Sequence, residues 1–121
     1  MAYDNPIRMT YEFLANAAIS SEADIGKISG PYGKVGKIRE VTTVVTTGVT
    51  VAAGLISFGD GSDEDAYGIH TVPVSSAGAV ANNVFVAGVT DEIPANEAVT
   101  IHGGGESTAG AVNLFVVVDW Y

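Results

Sequence analysis

The first clear pattern along the chain is a strict alternation of apolar and polar side chains over residues 7–14. Large apolar residues occupy every second position, at Ile7, Met9, Tyr11 and Phe13. A period of two is the signature of a β-strand with one buried face. The sequence therefore predicts a half-buried strand over residues 7–14, preceded by a short polar N-terminal arm at residues 1–6.

Further strand-like segments, rich in Val, Ile and Thr, follow at short and regular intervals. They cover residues 25–28, 35–47, 49–58, 67–74, 84–89, 98–102 and 111–121. Gly48 and Thr47 predict a hairpin turn between two of these strands, and Pro73 predicts that its strand ends early or lies at a sheet edge. Residues 75–82 and 103–110 are predicted to be loops.

About eight strands and no amphipathic helix of three turns predict an all-β fold. The spacing is typical of an antiparallel β-sandwich or a jelly-roll-like barrel. With 121 residues, the chain suits one domain, which we place at residues 7–121. Its 15 glycines supply the tight turns that such a fold needs.

The last predicted strand, over residues 111–121, is apolar on both faces. One face carries Val112, Leu114, Val116, Val118 and Trp120, and the other carries Phe115 and Val117. Such a strand is either central in a sandwich or covered by a neighbouring subunit. Because exposed apolar patches usually mark interfaces, this segment predicts self-association.

Charge is unevenly distributed in a chain whose net charge is −9. All five basic residues precede Val41, whereas residues 41–121 carry nine acidic residues and no Lys or Arg. An acidic protein repels phosphate backbones, so nucleic acid is excluded as an expected partner. The imbalance serves solubility alone, or it indicates that the two parts of the chain face different surroundings.

The chain has no cysteine, which excludes a disulfide framework and a thiolate metal site. The N-terminal residues lack the basic and apolar regions of a signal peptide. The longest strongly apolar run, residues 114–118, is far too short to span a membrane. We therefore expect neither a signal peptide nor a membrane partner.

No motif predicts an enzyme or a cofactor. The glycines between residues 26 and 36 lie near lysines but lack the order of a phosphate-binding loop. His70 and His102 lie in separate predicted strands, without the spacing of a helical zinc site and without a nucleophile motif. We expect each of them to be a strand residue with ordinary hydrogen bonds.

An acidic loop over residues 60–65 is the densest group of oxygen ligands in the sequence. It contains Asp60, Asp63 and Asp65 but lacks the residue order of an EF-hand. We expect a solvent-exposed, metal-free loop that also discourages aggregation at a sheet edge. A calcium site is the alternative.

Several short segments of the sequence are similar to segments found in a known family. They are Tyr-Asp-Asn-Pro at residues 3–6, Gly-Lys-x-Gly-Lys-Ile-Arg at 33–39, Ile-Pro-Ala-Asn-Glu at 93–97 and Val-Val-Val-Asp-Trp-Tyr at 116–121. Together with the Val/Thr-rich strand after residue 39 and the glycine-rich loop before the last strand, the chain resembles small virion proteins of tailed bacteriophages, of the capsid-decoration or cement type.

The resemblance implies a β-sandwich or jelly-roll-like fold and binding to the outer surface of an assembled capsid. The expected partners are the major capsid protein and further copies of the chain, in a homotrimer. The expected location is the capsid surface of a virion, after synthesis in the host cytoplasm. The resemblance implies no catalytic residues. Two other functions stay open: another virion component, such as a tail or head fibre, and a carbohydrate-binding module that uses Trp120 or Tyr32.

The predicted partner-binding residues are Tyr3, Lys34, Lys37, Arg39, Trp120 and Tyr121. The charge distribution predicts that the arm and the basic segment approach the assembly, because complementary charge steers association and sets its register. Lys37 and Arg39 are expected to share one strand face. The alternative is that these solvated cations merely balance Glu40 and Asp24.

Overall fold

The structure is a computed structural model, and it describes residues 6–82, 85–88, 90, 92–104 and 107–121. Tyr3 and most of the predicted arm lie outside the described residues. In chain order the strands are β1 Ile7–Ala18, β2 Glu22–Ile28, β3 Gly36–Thr50, β4 Gly54–Gly59, β5 Gly68–Val72, β6 Val80–Asn82, β7 Phe85–Ala87, β8 Val99–Gly104 and β9 Ala109–Trp120. The described residues contain no helix.

The strands form two antiparallel sheets, with orders β1-β9-β3-β6 and β2-β8-β4-β5-β7. Strand pairing is nested, because β1 pairs with β9, β2 with β8, β3 with β6 and β4 with β5. This nested order is the arrangement of a jelly roll, and the short β7 extends the edge of the second sheet. The predicted all-β antiparallel sandwich is therefore confirmed.

The core lies between the two sheets and depends heavily on β9. Val112, Leu114, Val116 and Val118 of this strand are all completely buried. A fully buried side chain of this kind contributes about 1.5–3 kcal/mol. β9 is central in its sheet, between β1 and β3, as one of the two interpretations of its apolar faces predicted. On its outer face, Phe115 and Val117 are only half-buried.

The predicted hairpin through Thr47 and Gly48 is wrong. β3 runs on through Gly48 to Thr50, and the chain then crosses to the other sheet to begin β4. Backbone hydrogen bonds between Val49 and Ser75 continue the extended chain, with N–O distances of 2.9 and 3.1 Å. Val49 is buried, so its burial and its hydrogen bonds outweigh the weak strand propensity of the preceding glycine.

Other predicted boundaries also differ. β1 extends through residues 15–18 with an irregular register after Phe13, because Asn16 adopts a positive φ of 53°. The segment 75–82, predicted to be a loop, contains β6, and the segment 103–110 contains the end of β8 and the start of β9. These parts carry few large apolar residues, so their pairing depends on neighbouring strands rather than on a local pattern.

Trp120 fills the end of the core where β9 meets the start of β3. The indole packs against Gly30 and Gly36, where a side chain on either glycine would collide with the ring. Its Nε1 donates a hydrogen bond to the Tyr11 hydroxyl at 3.1 Å. That hydroxyl in turn bonds the Ser29 carbonyl at 3.1 Å. The ring therefore holds the segment 29–36 against the two terminal strands.

Candidate partner-binding site

Strand register gathers basic side chains from distant parts of the sequence at one end of the first sheet. Asp119 of β9 lies between Arg8 of β1 and Lys37 of β3 in the pairing register. Lys34 and Val35 precede β3 at the same end. We call the surface formed by Arg8, Lys34, Lys37, Arg39 and Tyr121 the basic corner. It contains four of the five basic residues of an otherwise acidic chain.

The Asp119 carboxylate organises this corner. Arg8 donates from Nε to Oδ1 at 2.7 Å and from Nη2 to Oδ2 at 2.9 Å. Arg39 donates from Nε to Oδ2 at 3.0 Å. Strand alternation points Asp119 away from the core, yet it is only 3% exposed because the two guanidinium groups cover it. Charge-assisted, bidentate pairing of this kind fixes geometry as well as adding energy.

The electrostatics follow from two cations sharing one anion. The hydrogen bond from Arg8, more than any other interaction, lowers the pKa of Asp119 below its ordinary value. The same contact raises the pKa of Arg8. Two guanidinium charges remain opposed by the Asp119 carboxylate, so the cluster keeps a net positive charge. Lys37 adds to this charge, and nearby Glu40 reduces it.

Arg39 also connects the corner to the last residue of the chain. The ladder between β3 and β9 shifts between Ile38 and Glu40, so Arg39 is the extra residue of a β-bulge. Its Nη2 donates a hydrogen bond to the Tyr121 hydroxyl, and its guanidinium carbon lies 5.9 Å from the centre of the Tyr121 ring. That distance suits a cation–π contact, which orients Arg39 over the ring.

A shallow hollow of ≈ 380 Å³ opens between these side chains. Lys37, Arg39 and Tyr121 line it together with Val35 and Glu92. Lys37 and Arg39 thus present their side chains to the same surface, as the sequence predicted. Cationic donors beside an aromatic ring and one apolar side chain suit a partner surface that offers a carboxylate.

The predicted partner-binding residues do not all lie at one surface of the structure. Lys37, Arg39 and Tyr121 line one hollow, and Lys34 directly precedes Val35, which lines it too. Trp120 does not, because its ring is 1% exposed inside the core, and its assignment as a partner-binding residue is wrong. Tyr3 lies outside the described residues. Sequence reasoning missed Arg8, whose place across Asp119 from Lys37 follows only from the pairing of the first strand with the last.

A second polar cluster lies on the outer face of the other sheet. His102 Nδ1 is 3.1 Å from Asp24 Oδ1, and His102 Nε2 is 3.8 Å from Glu64 Oε1. The hydrogen bond with Asp24 is the main reason that the pKa of His102 is raised. These residues line a hollow of ≈ 280 Å³ together with Lys27, Gly61 and Thr100.

The two histidines cannot share a metal ion. His70 lies on β5 and is completely buried in the core, where its Nε2 is 2.9 Å from the Thr43 hydroxyl of the opposite sheet. His102 lies on the outer face of β8, and thus on the other side of the same sheet. Both are strand residues with hydrogen-bond partners, as the sequence predicted. Within the described part of the chain, no three His, Cys, Asp or Glu side chains could hold a metal together.

The acidic loop is solvent-exposed, as predicted, over residues 60–65. The Asp60 carboxylate accepts hydrogen bonds from the backbone N–H groups of Ser62 and Asp63, at 2.9 and 2.8 Å. The bond from Asp63 is the main reason that the pKa of Asp60 is lowered. Asp60 thus stabilises the turn itself, and the expectation that the loop binds no metal stays a prediction.

Comparisons of the chain with protein-family models, with curated proteins and with solved structures found no match. In the residues that the structure describes, no helix is long and apolar enough to cross a membrane. The assignment of a function therefore depends on the fold, the basic corner and the resemblance seen in the sequence.

Proposed function

We propose that the protein is a structural component of a bacteriophage virion that decorates the capsid and stabilises it by binding its outer surface. In this proposal the basic corner is the docking surface, and the major capsid protein is the partner. The protein acts through its surface alone and catalyses no reaction.

The observation that carries the proposal is the concentration of cations at one corner of an acidic molecule. Arg8, Lys37 and Arg39 lie there and Lys34 precedes β3 at the same end, while the net charge of the chain is −9. An even distribution would suffice for solubility. A concentrated patch instead steers the molecule into one orientation as it approaches an acidic surface.

The fold and the family resemblance agree with this function. Jelly rolls occur in viral capsid proteins and in lectins, so the fold is compatible with the proposal and does not single it out. A rigid sheet that holds Arg8, Lys37 and Arg39 around Asp119 provides a preorganised docking surface, which reduces the entropy lost on binding.

The carbohydrate-binding alternative has less support. One of its two candidate aromatic rings, Trp120, lies in the core and cannot stack on a sugar. Tyr32 is almost fully exposed, but Lys34, the charged residue nearest to it along the chain, belongs to the basic corner. A tail or head-fibre location would use the same docking surface and differs only in the partner.

The test is binding of the purified protein to undecorated capsids. We expect the double variant Lys34→Gln/Lys37→Gln to bind about tenfold more weakly than wild type at low salt, with a smaller difference at high salt. This variant leaves the Arg8–Asp119–Arg39 cluster intact. Co-sedimentation over a range of protein concentrations measures the affinity.

Lys27→Gln is the matched control, because Lys27 is the one basic residue on the other sheet. It removes one positive charge, as the single change Lys37→Gln does at the corner, and should bind as wild type does. Equal losses for Lys27→Gln and for Lys37→Gln alone would show that net charge matters rather than the corner. Failure of the wild-type protein to bind capsids, together with binding to isolated tails, would refute capsid decoration.

A further inference from the structure

The four edges of the two sheets are protected to very different extents. β6 and β7 are edge strands of three residues each. β2 has seven residues, carries Glu22, Asp24 and Lys27, and has an irregular register after Asp24. Short strands, charges and bulges are the usual devices that keep an edge from pairing with another chain. β1, the remaining edge, has twelve residues and few of these devices.

β1 offers a regular, partly apolar edge over residues 7–13. It contains no proline or lysine, and Ile7 and Met9 are 46% and 36% exposed. Its register with β9 is unbroken from Ile7 to Phe13, before the irregularity at Asn16. Among the described residues, β1 pairs with β9 alone, so its other side presents backbone donors and acceptors to a further strand.

We infer that β1 pairs antiparallel with β1 of a second copy of this chain, with Thr10 on the two-fold axis. The two charged residues of this strand then form two ion pairs, because Arg8 of each copy lies across from Glu12 of the other. On the other face, Met9 lies across from Tyr11 and Ile7 from Phe13. The strand is therefore complementary to itself in both charge and apolar character, as a two-fold interface requires.

Neighbouring registers lose this match. An axis at Met9 places Arg8 across from Thr10, and an axis at Tyr11 places Arg8 across from Leu14. An axis that lies between two residues would pair an outward-facing residue of one copy with a core-facing residue of the other. One copy would then be turned over with its core face exposed, because the side-chain period of a strand is two. Arg8 can serve both contacts, since Asp119 engages its Nε and Nη2 while its side chain stays 64% exposed.

The pairing joins the first sheets of two copies into one sheet of twice the width. A two-fold axis perpendicular to the sheet keeps both outer faces on the same side, so the two basic corners face the same way. This contact forms a dimer by itself. If the predicted homotrimer forms through another surface, the same contact joins one trimer to another. It does not depend on the proposed function, which a monomer could also perform.

The first test uses Thr10→Cys, because the chain has no cysteine of its own. Residues directly opposite in an antiparallel pair lie within the range that a disulfide bridges. We expect mild oxidation to link two chains at least tenfold faster than in the control Val80→Cys, which places an exposed thiol on the β6 edge. Equal or slower linking of Thr10→Cys would refute the β1 interface.

The second test uses Glu12→Lys, which places two like charges across the axis from Arg8. We expect the dimer of this variant to have a dissociation constant, measured by sedimentation, that is about tenfold or more above that of the wild-type dimer. Glu97→Lys makes the same charge change at an exposed position away from β1 and should self-associate as wild type does. Cooperative unfolding of each variant confirms that it folds. Unchanged association of Glu12→Lys would refute the Thr10-centred register, and a wild-type chain that stays monomeric at millimolar concentration would refute the inference as a whole.

Discussion

Asp119 shows how a single side chain acquires a role that its position in a strand does not suggest. Alternation along β9 directs it to the outer face, where a carboxylate is normally solvated. Arg8 and Arg39 instead cover it and supply three hydrogen bonds. Because these bonds favour the charged form, they lower the pKa of Asp119 and couple its ionisation to folding.

We predict that Asp119→Asn lowers the free energy of unfolding by about 1–2 kcal/mol at pH 7, because the amide cannot accept both guanidinium groups as an anion does. Urea denaturation measures the change. Glu97→Gln, at an exposed position with no hydrogen bond to Arg, should change stability by less than about 0.5 kcal/mol. A stability of Asp119→Asn equal to wild type would mean that the cluster contributes nothing to folding.

The same residue predicts a pH dependence with a definite sign. A carboxyl group whose pKa is lower in the folded state stabilises the protein above its unfolded pKa of about 3.9, and this contribution is lost as pH falls through the folded value. The stability difference between wild type and Asp119→Asn should therefore be full at pH 7 and shrink below about pH 4. Urea denaturation at pH 7 and pH 3 tests this, and a difference that grows on acidification would contradict it.

At the scale of elements, the start of β3 is positioned by close packing against the end of β9. Gly36 pairs with Trp120 in the strand register, and its backbone also pairs with Ile93. The indole occupies the space that a side chain at residue 36 would need. Because Lys37 and Arg39 follow directly, the absence of a side chain at Gly36 sets the position of the basic corner.

We predict that Gly36→Ala destabilises the protein by about 1–3 kcal/mol, because its Cβ would lie 2.5 Å from Cζ3 of the Trp120 ring. Gly48→Ala is the control on the same strand, since its nearest neighbour would be the Ser75 carbonyl oxygen at 3.3 Å. Thermal unfolding compares the two. A second comparison in a Trp120→Phe background should show a smaller cost for Gly36→Ala, and an equal cost there would show that the ring is not the cause.

At the scale of the whole molecule, the nested topology makes the first strand a neighbour of the last. Ile7 pairs with Trp120, at opposite ends of the described chain. β3 crosses to the other sheet before β4, so consecutive strands here do not pair as a local hairpin. Folding must therefore close long loops before most of the stabilising contacts can form.

We predict that refolding from urea takes milliseconds to seconds, as for other folds dominated by distant strand pairs. Trp120 reports it well, because it is the only tryptophan and becomes buried when β9 docks against β3. Stopped-flow fluorescence measures the rate. Recovery of the native signal within microseconds would mean that local contacts around Trp120 form before the terminal strands pair.

Local patterns in the sequence were sufficient for the fold class, because strand periodicity depends on a side chain's own chemistry and its immediate neighbours. The alternation at residues 7–14 correctly predicted a strand, although only Tyr11 and Phe13 of its apolar face are partly buried and Ile7 and Met9 are exposed. The two apolar faces of residues 111–121 left two interpretations open, and β9 has the central position that one of them predicted. Where the residues are small or polar, as in β6, no such signal exists, and neighbouring strands decide the conformation. For the same reason, Gly48 did not end its strand.

The candidate site was likewise predicted in part from the sequence and decided in part by the tertiary structure. The sequence by itself determined that the cations cluster before Val41 and that Lys37 and Arg39 lie on one strand. Only the tertiary structure brought Arg8 beside them, through the pairing of β1 with β9, and only it placed Trp120 in the core rather than at the surface. Spacing along a chain fixes which residues can share a strand. Which strands become neighbours depends on how the whole apolar surface is buried, and no local pattern contains that information.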